Sequence, residues 1–294
     1  MRLLGSASAA CLVSLVVLSP KAAVACAVCA AGDASMAPRE AERAASGTMG
    51  AAVDVRGGGL RVGDAIRLSE WRTEGSVYVA PKDGLRFRLA MPVLARSLSG
   101  PDAPGDLRGV PGDLHVSTDI GFDPAEGRGR GFVLTAGLGL PTAMATRDDR
   151  GEFLPSMLQP GCNSVVPEVI VSTKLASGRF SVTFAPRVRV PVPVRAAPHR
   201  GPTVSLSTTG QFQPHPRFAV RLGVTARGEL EGAGADGRGD GLSGGFVGYL
   251  APEIALRPTM DLQVTAGVFF PAVQALAGGQ RELPTFVAGM GWAI

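Results

Sequence analysis

The chain is poor in the features that usually make a function easy to read. No run of about 18 apolar residues follows residue 19, which excludes a membrane protein built from helices. Charged residues are 18% of the 294, below the roughly 25% of an ordinary soluble protein. The net charge of +4 is too weak to argue for nucleic acid. The three histidines, His115, His199 and His215, share no metal-ligand spacing. The glycine-rich stretch Gly232 to Gly245 contains no lysine, so it cannot be a phosphate loop, and no set of Ser, His and acid is placed by motif. These absences leave no catalytic, cofactor-binding or metal-binding residue to nominate. The expectation is a protein that is not an enzyme, with the lipases and proteases built on membrane barrels as the remote exception.

What is present is alternation. Phe180, Val182, Phe184, Pro186, Val188, Val190, Val192 and Val194 share one parity, and Ser181, Thr183, Arg187, Arg189 and Arg195 share the other. A pleated strand sends successive side chains to opposite faces, so this segment has one oily and one cationic face. The pattern recurs in Leu85, Phe87, Leu89, Met91 and Val93 against Arg86 and Arg88, and in Phe218, Val220, Leu222 and Val224 against Arg217, Arg221, Thr225 and Arg227. Mean hydropathy is slightly positive, yet the chain is never oily continuously. Barrel strands read this way because lipid-facing residues alternate with lumen-facing ones.

The N-terminus reads as an export signal over residues 1–25. Arg2 gives the positive region, Leu12 to Leu18 the apolar core, and Ala23-Val24-Ala25 a small-x-small cleavage site before Cys26. Cys26 also fits an acylated lipoprotein cysteine, although position 23 is Ala where such signals usually carry Leu. Residues 26–48 then form a periplasmic extension, with a short helix around Ala37 to Ala45. Its Cys26 and Cys29 lack a following His, which excludes covalent c-type haem, and no second pair exists to complete a zinc site. A local disulfide between them is the plain reading. Cys162 is a lone thiol in a loop.

From residue 49 the chain reads as an all-β, antiparallel transmembrane barrel. Twelve strands are expected at 60–71, 75–81, 85–96, 113–122, 131–141, 166–175, 179–194, 203–213, 217–229, 244–256, 260–271 and 284–294. Met49 to Arg56 also alternates, either extending the first strand across Gly57-Gly58-Gly59 or packing elsewhere. Short and long connections alternate, the convention of periplasmic turns and external loops, and both termini fall on the periplasmic side. The last strand ends Met290-Gly291-Trp292-Ala293-Ile294, with apolar residues third from last and last, as strands read by the barrel-assembly machinery do. Two features oppose the reading. Two Tyr and two Trp make thin aromatic girdles. Pro186 would remove a ladder hydrogen bond from mid-strand and implies a bulge.

One region resembles a known family. Gly137-Leu138-Gly139-Leu140-Pro141-Thr142 ends a strand, the polar loop Arg147-Asp148-Asp149-Arg150-Gly151-Glu152 follows, and then Leu158-Gln159-Pro160-Gly161-Cys162-Asn163-Ser164 leads into a strand pair. This resembles the outer-membrane transporters grouped as the MetA-pathway of phenol degradation family, as does Cys26-Ala27-Val28-Cys29-Ala30-Ala31-Gly32-Asp33. The departures are Ala143, where the family tends to Gly, and Cys162-Asn163 within the Pro-Gly motif. The resemblance implies passage of small, aromatic or apolar molecules across the bacterial outer membrane.

The residues that would face the lumen are Arg86, Arg88, Arg187, Arg189, Arg217, Arg221 and Arg227, with Asp119, Glu168, Glu253 and Asp261 as acids of matching parity. A charge facing lipid near the midplane costs about 2–4 kcal/mol, so the Arg rows must point inward. Rings of Arg line pores that pass anions; equally, barrels of this size can fill with ion pairs. The expected partners are outer-membrane lipid, a small-molecule solute and the barrel-assembly machinery, with no cofactor. The alternatives are a barrel that transports nothing and presents its loops at 97–112, 142–165 and 230–243, and a secreted β-sandwich.

Overall fold

A computed structural model describes residues 48–63, 66–100, 105–122, 130–148, 150–154, 156–241 and 243–293. The export signal, the Cys26–Cys29 pair and the helix near Ala37 lie outside the described residues. Twelve long strands form the wall: β1 Thr48–Val62, β2 Ile66–Lys82, β3 Leu85–Ser99, β4 Leu114–Phe122, β5 Arg130–Leu140, β6 Ser164–Ser177, β7 Phe180–Arg189, β8 Thr203–His215, β9 Phe218–Glu229, β10 Gly245–Leu256, β11 Leu262–Leu276 and β12 Thr285–Ala293. Each pairs antiparallel with the next. The ring closes where β1 meets β12, from Gly50 opposite Ala293 to Gly57 opposite Phe286. Closure satisfies every strand's hydrogen bonds within the wall, the condition a sheet must meet in lipid. Three short segments add to the rim: Gly105–Pro111 on β3, Val192–Pro193 on β6 and Gln280–Glu282 on β1.

Alternation sorts the two faces. Val77 and Val79 on β2, Phe87, Leu89, Met91 and Val93 on β3, and Val220, Leu222 and Val224 on β9 are exposed on the outside. Their neighbours in sequence turn inward and are buried or half-buried. Both tryptophans, Trp71 and Trp292, are exposed on the outer face. Both tyrosines turn inward: Tyr78 lies under the Arg86 guanidinium, 5.5 Å from its ring centroid, and Tyr249 is fully buried. The outer girdle is therefore thinner than the aromatic count suggests.

Three expectations are corrected. The first two strands expected, 60–71 and 75–81, are mostly one strand, β2, and the true first strand begins at Thr48 and runs through Gly57-Gly58-Gly59. The glycines are there for packing. Gly57 pairs with Trp71, and a Cβ on Gly57 would come within 2.7–2.8 Å of the indole ring. Second, Pro186 makes no bulge. It pairs with Leu206 of β8 in unbroken register, and toward β6 the register is the same on either side of it. Third, β7 ends at Arg189, short of residue 194.

Among the described residues, the turns at one end of the barrel are short. Lys82 to Leu85, Gly178-Arg179, Pro216-Arg217 and residues 257–261 connect strands there, and both ends of the described chain lie at that end. The connections at the other end are long, apart from residues 63–65 between β1 and β2. The two ends are called the turn end and the loop end below.

Candidate functional site: a charged interior beneath interlocked loops

The inward parity brings most of the sequence-nominated arginines onto acids of neighbouring strands. Near the turn end, Arg86 Nε and Nη2 donate to Asp119 Oδ2 at 2.8 and 2.5 Å, and Thr135 Oγ1 donates to Asp119 Oδ1 at 2.7 Å. Arg88 and Arg72 both pair with Glu74, at 3.2 Å each. Arg221 bridges Glu253 at 2.8 Å and Gln211 at 2.6 Å. Farther along, Glu168 is shared by Arg187, whose Nε lies at 3.0 Å, and Arg189, at 3.2 Å, with His115 3.7 Å away. Arg227 donates to Tyr249 Oη at 2.8 Å and to Glu282 at 2.7 Å, and the tyrosine hydroxyl donates in turn to Glu282. Two nominated residues belong elsewhere. Arg217 is exposed in the two-residue turn after β8, and Asp261 is exposed in the turn before β11; parity was extended past the strand ends, where it no longer holds.

Water access divides these pairs. The side chains of Arg86, Arg72, Arg189 and Arg88 keep 21%, 19%, 18% and 16% of their surface exposed although they sit on the inner face. Those of Arg96 and Arg227 keep 2%. Arg96 pairs with Glu70 at 2.5 Å and donates to the Leu158 carbonyl at 2.8 Å. That second bond holds the β5–β6 loop inside the mouth. Leu154 and Leu158 of this loop pack on Leu60, Leu68 and Leu98 of the inner wall in a small buried cluster. Burying an aliphatic side chain is worth about 1.5–3 kcal/mol, so the loop is held by its own apolar contacts as well as by Arg96.

The stretch that resembles a family motif builds this inward loop. Gln159, fully buried, accepts from Thr146 N at 2.7 Å and donates to the carbonyls of Thr146 and Leu154 at 3.0 and 2.6 Å. Asp113 receives the backbone N–H of Cys162 at 2.6 Å and of Ala143 at 3.1 Å. Gly161 lies so close to Asp113 and Ala143 that a side chain there would overlap both. Asn163 has φ +52° and donates from Nδ2 to the Pro198 carbonyl at 2.8 Å. Its backbone sits in the left-handed region, where asparagine is the usual substitute for glycine; this accounts for Asn at a position that departs from the motif. Ser156 donates to Asp240 of the β9–β10 loop, and His199 and Ala233 exchange backbone hydrogen bonds at 2.9 Å. Three loops are thereby tied into one cover.

Sequence reading missed several inner charges: Asp54, Arg56, Glu70, Arg72, Glu74, Arg96, Arg200, Glu229 and Glu282. The signal existed in β2, where Glu70, Arg72 and Glu74 are spaced by two. Dividing that strand at residues 72–74 concealed it. Arg200 and Glu282 lie in connections and had no periodic signal.

No protein-family model matches the chain, and no curated relative matches it. Among solved structures, an outer membrane channel from Pseudomonas putida F1 matches with a TM-score of 0.70 and 14% identity, over 87% of this chain and 99% of that one. The NanC porin matches more loosely, with a TM-score of 0.47 and 10% identity over 82% of this chain and 98% of that one. So does the transport unit of the autotransporter AIDA-I from Escherichia coli, with a TM-score of 0.48 and 8% identity over 90% and 95%. In fold, then, the chain is a twelve-stranded barrel of the bacterial outer-membrane type.

Proposed function

We propose that the chain is a channel of the bacterial outer membrane that passes small solutes and favours anions. The observation that carries this is the water access of Arg72, Arg86, Arg88 and Arg189 on the inside of a closed wall. A packed, sealed interior would leave them dry. The likeness in fold to an outer membrane channel supports the same reading. In a low-dielectric tube, wetted guanidiniums focus a positive potential that raises the local concentration of anions. The apolar outer face suits lipid as the surrounding medium. We further propose that residues 1–25 direct export, that the turn end with both strand termini faces the periplasm, and that β12 is the strand read during barrel assembly. The Cys26–Cys29 pair takes no part in transport.

The test is planar-bilayer conductance with reversal potential under a salt gradient. The reading requires measurable conductance and a reversal potential on the anion side, weakening as salt rises, since the Debye length falls from about 10 Å at 0.1 M to about 3 Å at 1 M. Cation selectivity overturns the anion preference. A second reading, a surface barrel without transport, draws support from the three loops tied across the mouth. Loss of conductance in both the intact protein and a variant lacking residues 144–158 would establish that reading instead.

A further inference from the structure

Below the motif loop lies a cavity of about 70 Å³, lined by inner residues of β2 and β4 to β7 and covered by Pro160, Gly161 and Cys162. Four guanidiniums line it, those of Arg72, Arg187, Arg189 and Arg200, against the two carboxylates of Glu74 and Asp113. Asp113 is committed to the loop: its two oxygens receive the backbone N–H groups of Ala143 and Cys162. Glu74 is shared between Arg72 and Arg88. Just behind the lining, Glu168 is likewise shared between Arg187 and Arg189. Among the lining residues guanidiniums outnumber carboxylates by four to two. The rest of the lining is His115, whose Nε2 lies 3.7 Å from Glu168, together with the apolar Leu114, Val166 and Pro160. Gly139 contributes only backbone, and a Cβ there would meet Val166 at 3.3 Å.

We propose that this cavity binds the carboxylate head of a short apolar acid, with the acid group among the arginines and its first carbons against Leu114 and Val166. The size is right for such a head group. A single water needs about 10–15 Å³ of such space, so the cavity admits a carboxylate and its first few carbons. Guanidinium forks match a carboxylate in a bidentate way that an ammonium or a neutral alcohol cannot use. The proposal rests on the channel reading and adds to it the chemical class that the interior selects.

Cys162 lines the same cavity and supplies a reporter. In the full-length barrel carrying Cys26→Ser and Cys29→Ser, its modification would be followed with anionic and cationic methanethiosulfonates, each normalised to its rate with free cysteine. Equilibrium dialysis of labelled butyrate would be run alongside. The expected result is a normalised rate about tenfold higher for the anionic reagent, within the range of electrostatic focusing, and lost at 1 M salt. Butyrate should slow the reaction and bind saturably, while butanol and butylammonium at equal concentration should do neither. Arg189→Gln and Arg200→Gln, each checked for folding by heat-modifiable migration, should weaken butyrate binding severalfold. Equal or faster reaction of the cationic reagent, or no saturable butyrate binding by the folded barrel, overturns the proposal. Conductance is measured separately. A conducting anion channel that binds no butyrate defeats this site alone, and butyrate binding without conductance defeats the channel reading alone.

Discussion

The two halves of the interior use the same residue types to different ends. At the loop end, Arg96–Glu70 and Arg227–Tyr249–Glu282 are dry, and Arg96 is joined to loop backbone through the Leu158 carbonyl. At the turn end, Arg86–Asp119, Arg88–Glu74 and Arg221–Glu253 have similar distances but are less completely buried, their arginine side chains keeping 21%, 16% and 10% of their surface exposed. An ion pair in water is worth about 0–1 kcal/mol, whereas breaking a buried one costs about 3–5 kcal/mol because the remaining charge is stranded. The loop-end pairs therefore act as fasteners, and the turn-end pairs as a lining whose charge remains available to solutes.

The comparison is broken most severely in the dry half. Arg227→Met leaves Glu282 and Tyr249 buried without their cation and should cost about 3–5 kcal/mol. Arg221→Met should cost less, because Glu253 keeps 19% of its side chain exposed where Glu282 keeps 2%. Denaturant unfolding of the two variants in the same lipid measures the difference; equal losses would mean that the turn-end interior is as dry as the loop end. Next in size is Val220→Arg, one residue from Arg221 but on the outer face. It should cost about 2–4 kcal/mol in lipid, depending on depth, while Arg221→Val should be much milder. The reverse order would put the register off by one.

Gly161→Ala probes the cover itself. A methyl group there overlaps Asp113 and Ala143, and overpacking of this kind costs about 1–3 kcal/mol. Because the strain falls on the loop, the barrel should keep its unfolding midpoint to within that range. The loop should become sensitive to protease near Arg147 and Arg150, and conductance should rise. Unchanged proteolysis and conductance would show that residues 160–162 do not restrict the mouth.

How far the fold was legible follows from what each signal depends on. Alternation is a local property with period two, so the outer and inner faces of β3, β7 and β9 could be read directly. Ten of the twelve strands appear within a few residues of their expected places. The failures came where local cues competed. Arg72-Thr73-Glu74-Gly75 has the composition of a turn, yet Arg72 and Glu74 point inward and β2 runs through them. Gly57-Gly58-Gly59 has the look of a break, yet it makes room for Trp71 across the pair and for Thr285 on the inner side. The cover was out of reach for another reason. Arg96 meets the Leu158 carbonyl across 62 positions, and Ser156 meets Asp240 across 84; no periodicity connects such partners. The motif resemblance marked the right loop but gave no indication that it folds inward.

The mildest perturbation bears most directly on function. Charge reversal of Arg187 and Arg189 looks attractive from sequence, but the structure argues against it: both share Glu168, so two new carboxylates would crowd a third. Arg189→Gln avoids this. Arg187, the more buried of the two, keeps its bond to Glu168, and the amide fills much of the lost volume without adding charge. Stability should therefore change by about 1 kcal/mol or less. The reversal potential should move toward zero, because a wet cation has been removed from a narrow, low-dielectric tube where its field is focused. Arg96→Gln makes the matched control, a dry arginine beside the loops. It should lower stability by a few kcal/mol and loosen the loop, raising conductance with little effect on selectivity per ion passed. If Arg189→Gln leaves the reversal potential unchanged while Arg96→Gln shifts it, selectivity resides in the cover and the wet arginines serve only the wall.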